Sequence, residues 1–392
     1  MINASQEPGL KVIMKIEFYK HIIDERDIDN VGKVLRSVFL TTGDVVNDFE
    51  KKFATYLSSK NAIGVTSCTA ALQLSLLAWD IGDGDEVITT PLSFCSTANA
   101  ILHAGATPVF VDVEEQTGNI NDRLIENSIT DKTKAIMPVH LYGQMCDMKK
   151  IRQIADRYGL IIIEDAAHCV EGSRDTIRVG QLGDAACFSF YATKNITSGE
   201  GGAIVTNSNE KAERLKILRL HGIDKSAADR YTKEFKHWDM KELGWKYNMD
   251  NIHAALLIGQ IDRIGQLLEK RDAVWRRYEE GLHMVPGITL LKIYHDVKHA
   301  RHLFTINISA AQKRDLVLRS LQEKGVGVAV NFRPIHLLDF YRTKFGYTEG
   351  DFPCAEKIGA GTISLPLYPS LRDEEIEYVI KSVKEVMRYH GE

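Results

Sequence analysis

The sequence predicts an α/β fold in which a large domain with a central, mostly parallel sheet flanked by helices is followed by a smaller C-terminal α+β domain. Two observations lead to this prediction. From about residue 61 to residue 207, short apolar segments rich in β-branched residues alternate with helix-like segments. Several of these segments are apolar throughout, which is typical of strands buried on both faces of a parallel sheet. Beyond about residue 287, strand-like and helix-like segments continue in a shorter α+β pattern.

The large domain is predicted from strands and helices that follow one another along the chain. The strand-like segments are 62–67, 85–91, 106–113, 133–140, 160–165, 185–191 and 202–207. Helix-like segments lie at 68–82, 93–105, 121–129 and 146–159. Most of these strands are joined through a helix, which is the connection that neighbouring parallel strands require.

The end of the large domain is predicted to be helical, at 210–220 and again over 248–282, where one long helix or two in succession lead into the small domain. The small domain is predicted from strand-like segments at 302–309 and 326–334 and from helices at 311–325 and 373–390. We therefore predict a flexible extension over residues 1–13, a large domain over 14–270 and a small domain over 271–392.

Composition and charge exclude several classes of protein. Of the 392 residues, 44% are hydrophobic and 26% are charged, which is the balance of a soluble globular protein. The net charge of -4 and the lack of a basic stripe disfavour a nucleic-acid partner. The six cysteines form no C-x-x-C pair, so we predict neither a metal site nor disulfides, and a cytoplasmic location is the simpler interpretation. No apolar run reaches the roughly 18 residues of a membrane span.

The first candidate binding site is the strand end GVTSCTAAL, because ligands of open α/β sheets bind at the carboxyl ends of the strands. Ser67, Cys68 and Thr69 lie where a strand passes directly into a helix. The free N–H groups and hydroxyls of such a helix end bind anions. An ordinary helix cap explains the same residues, and this stretch alone does not decide between the two.

Two further strand ends carry charged residues. In LIIIEDAAH, Asp165 follows an apolar strand, so its carboxylate is partly desolvated and needs a cationic partner, unless it is only a turn residue. His168 either orients Asp165 or caps a following helix. In FSFYATKNITSGEGG, Lys194 follows an aromatic strand. A lysine desolvated in a cleft has the lowered pKa that carbonyl chemistry requires, whereas a solvated loop lysine is the simpler interpretation of this stretch in isolation.

Together the three strand ends supply the groups that hold pyridoxal phosphate. The helix end would bind the phosphate, the Asp165 carboxylate would keep the ring nitrogen protonated, and Lys194 would form the Schiff base. Ser189 and the glycines at 199, 201 and 202 would let the backbone approach an anion closely. Phe94, at a further strand end, would offer a flat face to the ring, and a core aromatic is an equally good interpretation of it.

Several segments along the chain resemble one family. They include LTTGDVVNDFEKKFATYL, GVTSCTAAL, GDEVITTPLSFCSTANAI, AIMPVHLYGQMCDM, IIIEDAAHC, GDAACFSFYATKNITSGEGGAIVTN and GWKYNMDNIHAALLIGQ. In this order they resemble the sugar aminotransferases of the DegT/DnrJ/EryC1/StrS group, which are fold-type-I pyridoxal-phosphate enzymes. The resemblance covers nearly the whole chain from Ile16 onward. HARHLF and FRPIHLLDFYRTKFGY are most similar to the branch that aminates 4-keto nucleotide sugars, including UDP-4-keto pentoses.

The resemblance implies a role for each matching residue. Lys194 would be the Schiff-base lysine, and Asp165 the partner of the pyridine nitrogen. The other cofactor-binding residues would be Phe94 on the ring, His168 near a cofactor oxygen, and Cys68, Thr69 and Ser189 around the phosphate. Asn248 would reach the phosphate of the neighbouring subunit's cofactor, which implies a homodimer with composite sites. The candidate substrate residues are Thr42, His302, Arg333 and His336, for which a surface position is the alternative.

The activity implied by the resemblance is transfer of an amino group from an amino acid, most simply glutamate, to a UDP-4-keto sugar for bacterial surface glycans such as lipopolysaccharide. Two positions depart from the family pattern. Cys68 stands where many relatives have Gly, Ser or Ala, so a hydroxyl contact there would be lost. Arg301 stands where the pentose enzymes carry an aromatic residue, which argues against assigning their sugar to this chain.

Three other functions fit the sequence less well. A pyridoxal-phosphate dehydratase acting on sugars would have histidine in place of Lys194. A non-catalytic regulator on the same fold is disfavoured by the complete set of lysine, aspartate and phosphate-binding residues. A nucleotide-dependent dehydrogenase would need G-x-G-x-x-G after its first strand, and neither GDGDEV nor GVGVAV contains it.

Overall fold

The alternation of apolar and polar segments produces strands and helices close to those predicted. A computed structural model describes residues 14–224 and 237–390, so the extension predicted at 1–13 lies outside the described residues. The strands are β1 (Asn61–Val65), β2 (Glu86–Thr89), β3 (Thr107–Phe110), β4 (Thr133–Ile136), β5 (Ile161–Asp165), β6 (Ser173–Arg174), β7 (Ile177–Arg178), β8 (Ala185–Ser189), β9 (Gly202–Thr206), β10 (Ile288–Thr289), β11 (Val297–Lys298), β12 (Phe304–Ile308) and β13 (Thr362–Leu365).

The helices lie between these strands and after them. They are α1 (Glu25–Leu35), α2 (Asp44–Leu57), α3 (Cys68–Ala78), α4 (Ser96–His103), α5 (Asp122–Ile125), α6 (Met148–Tyr158), α7 (Asn209–Leu218), α8 (Asn251–Asp262), α9 (Ile264–Leu282), α10 (Arg314–Glu323), α11 (Asp339–Phe345), α12 (Pro353–Gly361) and α13 (Asp373–His390). The helical stretch over 248–282 is therefore two successive helices, α8 and α9. None of the described helices is both long and apolar enough to cross a membrane.

The large sheet has seven strands in the order β1-β9-β8-β5-β4-β2-β3. All of them run parallel except β9, which is antiparallel to both of its neighbours. The predicted mostly parallel sheet is confirmed. Because β9 runs in the opposite direction, its first residue lies at the edge where the other strands end, and this edge carries the candidate site.

Helices cover both faces of the large sheet, which explains why its strands are apolar throughout. On β5, Ile162 packs into the cluster formed with α2, α6 and α8, whereas Ile163 packs into the cluster formed with α3, α4 and α7. The sequence of α3, CTAALQLSLLA, is buried along nearly its whole length. It has no amphipathic pattern because it lies against the sheet on one side and against other helices on the other.

A second unit is built on the sheet β10-β12-β13 and on helices α10 and α13. We propose that the boundary between the units lies within α9. Ile264 at its start packs in the core of the large unit, whereas Val274 and Leu282 pack in the core of the second. Ile16 packs in the second core and pairs with Val326. We propose that the segment around Ile16, which the sequence prediction assigns to the large domain, belongs with the C-terminal unit.

Residues 326–334, expected to be a strand, form only isolated bridges, including one between Ala329 and Ser364. The segment leaves the small sheet after that bridge and carries the Phe332 ring to 6.0 Å from the Phe94 ring. Continued strand pairing would have kept Phe332 on the small sheet and away from the large one.

One buried ion pair joins the elements on either side of β1. Arg219, which caps the end of α7, pairs with Glu50 on α2, and both side chains are buried. Both also bond Gly64 on β1: Glu50 Oε1 accepts from its N–H at 2.8 Å, and Arg219 donates to its carbonyl at 2.7 Å.

We predict that Arg219→Met lowers the free energy of unfolding by about 3–5 kcal/mol, because it leaves the Glu50 carboxylate buried without its cation. Urea unfolding followed by circular dichroism measures the change. The control is Lys216→Met, which removes the exposed pair with Glu213 and should change stability by no more than about 0.5 kcal/mol. Equal losses in the two variants would contradict the prediction.

Candidate active site

The edge of the large sheet brings the predicted phosphate-binding residues together around Gly202. This residue, the first of β9, is paired with Val65 at the end of β1 and with Ser189 at the end of β8. A Cβ atom at position 202 would overlap the Ser67 backbone and lie 2.6 Å from Cys68 N. The glycine is therefore needed for close contact between β9 and the turn that begins α3.

The start of α3 leaves donors free in the way that an anion site needs. Ser67 is the N-cap, and its Oγ accepts from Ala70 N at 3.1 Å. Among the described residues, the N–H groups of Cys68 and Thr69 have no hydrogen-bond partner. Burial holds the pKa of the Cys68 thiol well above its ordinary value, so the thiol stays neutral and does not repel an anion at this helix end.

Asp165 is buried at the end of β5, the strand next to β8 in the sheet. Its Oδ2 accepts from Thr97 Oγ1 at 2.7 Å, and its Oδ1 accepts from Ala167 N at 3.2 Å. Burial raises the pKa of the carboxyl, while these hydrogen bonds and the positive charge of Lys194 act in the opposite direction. The carboxylate therefore favours a further cationic partner.

Lys194 lies in the turn that follows β8, where its N–H donates to the Tyr191 carbonyl at 2.9 Å. Burial lowers the pKa of its side chain to about 8, and the negative charge of Asp165 opposes this effect. Within residues 14–224 and 237–390, no hydrogen bond or ion pair engages Lys194 Nζ. Lys194 is part-buried and its amine is coupled electrostatically to Asp165, so it differs from a fully solvated loop lysine.

Phe94 is 58% exposed, which argues against the core-aromatic interpretation. Its ring is open to the space beside the sheet edge, with Phe332 at 6.0 Å on one side. Thr97, three residues later, holds Asp165 by the hydrogen bond described above. One short segment thus connects an exposed aromatic ring with the buried carboxylate.

His168 neither orients Asp165 directly nor caps a helix. It is buried, and its Nδ1 accepts from Tyr142 N at 3.3 Å. Its ring stacks on Phe332 at 5.7 Å and lies 4.4 Å from the ring of His302. Burial holds the pKa of both histidines well below the ordinary value, so both rings are neutral. His302, expected to contact substrate, is instead packed behind His168.

The other expected substrate residues lie in three different places: they are Thr42, Arg333 and His336. Thr42 accepts a hydrogen bond from Asn248 Nδ2 at 2.6 Å, so these two residues form one group near the end of β1. Arg333 is exposed next to Phe332, and its Nη2 donates to the Leu337 carbonyl at 2.8 Å.

His336 requires a correction, because it is 0% exposed and cannot reach a substrate in this conformation. It bonds Glu356 at 2.9 Å and packs on Phe352 at 4.8 Å. Arg301 also turns away from the sheet edge. Its guanidinium lies 4.0 Å from the centroid of the Trp275 ring and pairs with Asp272 on α9.

These residues fit pyridoxal phosphate. Free N–H groups at the start of α3 suit the phosphate, the exposed Phe94 face suits the ring, and buried Asp165 suits a protonated ring nitrogen. Lys194, with its lowered pKa and unbonded Nζ, suits a covalent bond to the cofactor's carbonyl carbon. Within the described part of the chain, no cluster of three or more acidic, cysteine or histidine side chains is placed to hold a metal ion. The fold and site define a pyridoxal-phosphate enzyme of the aminotransferase class.

Comparison with known proteins identifies the family. Residues 21–384 match the model of the DegT/DnrJ/EryC1/StrS aminotransferase family, and the chain belongs to this family. It is 40% identical over 372 residues to the spore coat polysaccharide biosynthesis protein SpsC of Bacillus subtilis. The aligned residues cover 94% of this chain and 96% of that protein.

Solved structures of sugar aminotransferases share the fold. The PMP form of the putative sugar aminotransferase Spr1654 from Streptococcus pneumoniae superposes with a TM-score of 0.91 at 31% identity, covering 96% of this chain and 100% of the other. PseC of Helicobacter pylori, an aminotransferase involved in the biosynthesis of pseudoaminic acid, superposes with a TM-score of 0.89 at 30% identity and the same coverage. The chain is therefore a pyridoxal-phosphate-dependent aminotransferase.

Sequence reasoning missed Thr97, Tyr142 and Asn195. Thr97 lies three residues after Phe94, at the start of α4. This spacing, nearly one helical turn, could have indicated that the two residues lie close together. Asn195 follows Lys194 directly, but its partners lie 24 and more than 100 residues away in the sequence. No local pattern reveals contacts of that kind.

We predict that Gly202→Ala weakens retention of pyridoxal phosphate and lowers the free energy of unfolding by about 1–3 kcal/mol, because the new Cβ forces β9 away from the turn at Ser67. Cofactor content after dialysis and the melting temperature measure the two effects. Gly265→Ala is the matched control, since no atom lies within 4 Å of its Cβ position. It should leave cofactor content unchanged, and a loss in both variants would contradict the prediction.

We also predict that the reactivity of Lys194 in cofactor-free enzyme rises with pH and levels off near the pKa of about 8. Only the neutral amine is nucleophilic, and burial lowers the pH at which it forms. Trinitrobenzenesulfonate labelling followed by peptide mass spectrometry measures the profile. In urea-unfolded protein the rise should continue toward the ordinary lysine value of 10.5. Identical profiles in the folded and unfolded protein would contradict the assignment.

Proposed function

We propose that the enzyme transfers an amino group from glutamate to the keto group of a nucleotide-linked sugar, a UDP-4-keto sugar, in the synthesis of a surface glycan. The observation that supports this most strongly is the electrostatic coupling of Lys194 with the buried carboxylate of Asp165, together with the exposed ring of Phe94 and an exposed arginine, Arg333, next to Phe332. The names of the relatives, which concern spore coat polysaccharide and pseudoaminic acid, support a glycan pathway.

In the proposed transamination, Lys194 and Asp165 have different roles. When bound, pyridoxal phosphate supplies an electron-accepting ring that stabilises the negative charge left when a carbon loses its proton. Asp165 keeps the ring nitrogen protonated. Lys194 Nζ would move one proton in each half of the reaction: in the first half from the α-carbon of the donor to the carbonyl carbon of the cofactor, and in the second half from that carbon to the sugar carbon that receives the nitrogen. A pKa of about 8 suits both directions near neutral pH.

Arg333 is the proposed anion-binding residue for substrate. It is exposed, and its bond to the Leu337 carbonyl leaves most of its donors free. The substrates that reach this edge are anionic, since glutamate has carboxylates and a nucleotide sugar has a diphosphate. A guanidinium binds both groups with paired hydrogen bonds.

The proposed assembly is a cytoplasmic homodimer in which Asn248 reaches the phosphate site of the partner. Support comes from the surface next to Asn248 and Thr42, where apolar residues are exposed. Val38 is 91% exposed and Leu40 is 46% exposed. The Leu40 carbonyl accepts from Asn251 N at 3.1 Å, which ties this apolar surface to the segment that carries Asn248. Such a surface favours association with a second copy.

The function is tested by incubating the enzyme with glutamate and a panel of UDP- and dTDP-linked 3-keto and 4-keto sugars. Mass spectrometry should detect one amino sugar and an equal amount of 2-oxoglutarate, and Lys194→Ala should produce neither. A product that has lost water without gaining nitrogen would identify a dehydratase instead. Turnover only with a dTDP-linked or 3-keto sugar would contradict the proposed substrate.

We predict that Arg333→Gln raises KM for its anionic substrate about 10- to 100-fold and changes kcat little, because a charge-assisted hydrogen bond contributes about 1.5–3 kcal/mol. Steady-state kinetics with each substrate varied in turn measures the effect. Arg342→Gln, an exposed arginine on the nearby helix α11, is the control and should leave both constants unchanged. If KM is unchanged in Arg333→Gln, the anion site lies elsewhere.

A further inference from the structure

The residue after Lys194 is the centre of a buried hydrogen-bond network. Asn195 is 8% exposed, and its carboxamide makes three hydrogen bonds. Nδ2 donates to Glu171 Oε2 at 2.7 Å and to the Ala300 carbonyl at 2.8 Å. Oδ1 lies 3.0 Å from His302 Nδ1. Every hydrogen-bonding position of the Asn195 Nδ2 group is therefore occupied.

This network fixes the tautomer of His302. The Ala300 carbonyl can only accept, so the Asn195 atom beside it must be the nitrogen, and Oδ1 must be the atom that faces His302. An amide oxygen can only accept in turn, so His302 Nδ1 carries the hydrogen. Because burial keeps this ring neutral, its Nε2 is unprotonated.

The same reasoning sets the tautomer of His168. The Tyr142 N–H can only donate, so His168 Nδ1 is unprotonated and its Nε2 carries the hydrogen. The His302 ring packs against the His168 ring with a centroid separation of 4.4 Å and a tilt of 32°. The position of His302, which Asn195 holds, therefore restricts the plane of His168 and the direction of its Nε2–H.

The network also joins Lys194 to the second unit. Glu171 pairs through its other oxygen with Arg271 on α9, and both side chains are almost completely buried. Ala300 and His302 belong to the segment that enters β12. Asn195 thus ties the backbone next to Lys194 to the helix and the segment that enter the second unit.

We propose that Asn195 is a positioning residue for the aminotransferase reaction: its single carboxamide fixes the backbone that carries Lys194 and, through His302, the orientation of His168. Asn195 does not touch the reacting atoms and acts through these two neighbours. The proposal rests on the aminotransferase activity and not on which sugar or donor is used.

The first test compares wild type with Asn195→Ala. In a long-range proton–nitrogen spectrum of enzyme with 15N-labelled histidine, the Nδ1–H signal of His302, assigned with His302→Gln, should be present in wild type and lost in N195A. The kcat should fall at least about 10-fold, because small displacements of a reacting group are costly, while KM changes less than about 3-fold. The spectrum reports on the proposal even if the sugar substrate has been assigned wrongly.

The second test exchanges donor and acceptor within the network. N195D places a carboxylate oxygen against both Glu171 Oε2 and the Ala300 carbonyl and should lose most of the activity, although its other oxygen can still accept from His302 Nδ1. In the double variant N195D/E171Q, the new amide can donate to the new carboxylate and its oxygen can still accept from Arg271. It should recover at least about 10-fold in kcat over N195D, although the Ala300 carbonyl stays without its donor.

Asn307→Ala is the matched control, since the Asn307 carboxamide also donates to a backbone carbonyl, that of Ile358, at 2.8 Å, but lies on the small sheet. It should keep kcat within about 2-fold and leave the His302 signal in place. The proposal is overturned if N195A keeps both the His302 signal and kcat, if N307A loses as much activity as N195A, or if the exchange variant shows no recovery.

Discussion

The site depends on the electrostatic coupling of one buried carboxylate, Asp165, with one part-buried amine, Lys194, near the same edge of the sheet. Burial alone drives both Lys194 and Asp165 toward their neutral forms, lowering the pKa of the amine and raising that of the carboxyl. Each charge partly offsets this cost for the other, and the Thr97 hydroxyl adds a hydrogen bond to Asp165. The amine is therefore easily deprotonated near neutral pH, while the carboxylate is stabilised by any cation placed beside it.

The order of the strands explains why these groups meet. Among the described strands of the large sheet, only β9 is antiparallel to its neighbours, and it lies between β1 and β8, so its first residue, Gly202, is in register with the last residues of both. The anion-binding turn after β1 and the turn that carries Lys194 after β8 are consequently separated by a single strand. A side chain at position 202 would push them apart, which makes this glycine part of the site although it has no reactive group.

Much of this arrangement could be predicted from the sequence. Strands of a parallel sheet are recognisable as apolar segments, and their carboxyl ends lie at a common edge. The sequence predicted a catalytic role for Lys194 only when Asp165 and the turn at Ser67 were considered with it. The burial of His336 could not be predicted, since it results from packing against Phe352 and bonding to Glu356, and FRPIHLLDFY gives no sign of it. Asn195 was missed for the same reason: its partners become neighbours only in the folded chain.

The structure separates the groups that perform the chemistry from those that would meet the substrate. Asp165 is the last residue of β5, where the sheet fixes its position, and Lys194 lies in the turn that follows β8. Phe332 and Arg333 stand on a segment that has left the small sheet, so changes in its length or sequence need not disturb the large sheet. Substitution in that segment can alter which anionic substrate is bound while Lys194 and Asp165 stay in place. Under the proposed function, this division would let one aminotransferase site serve different sugars, because substrate choice would lie in a loop and not in the strands.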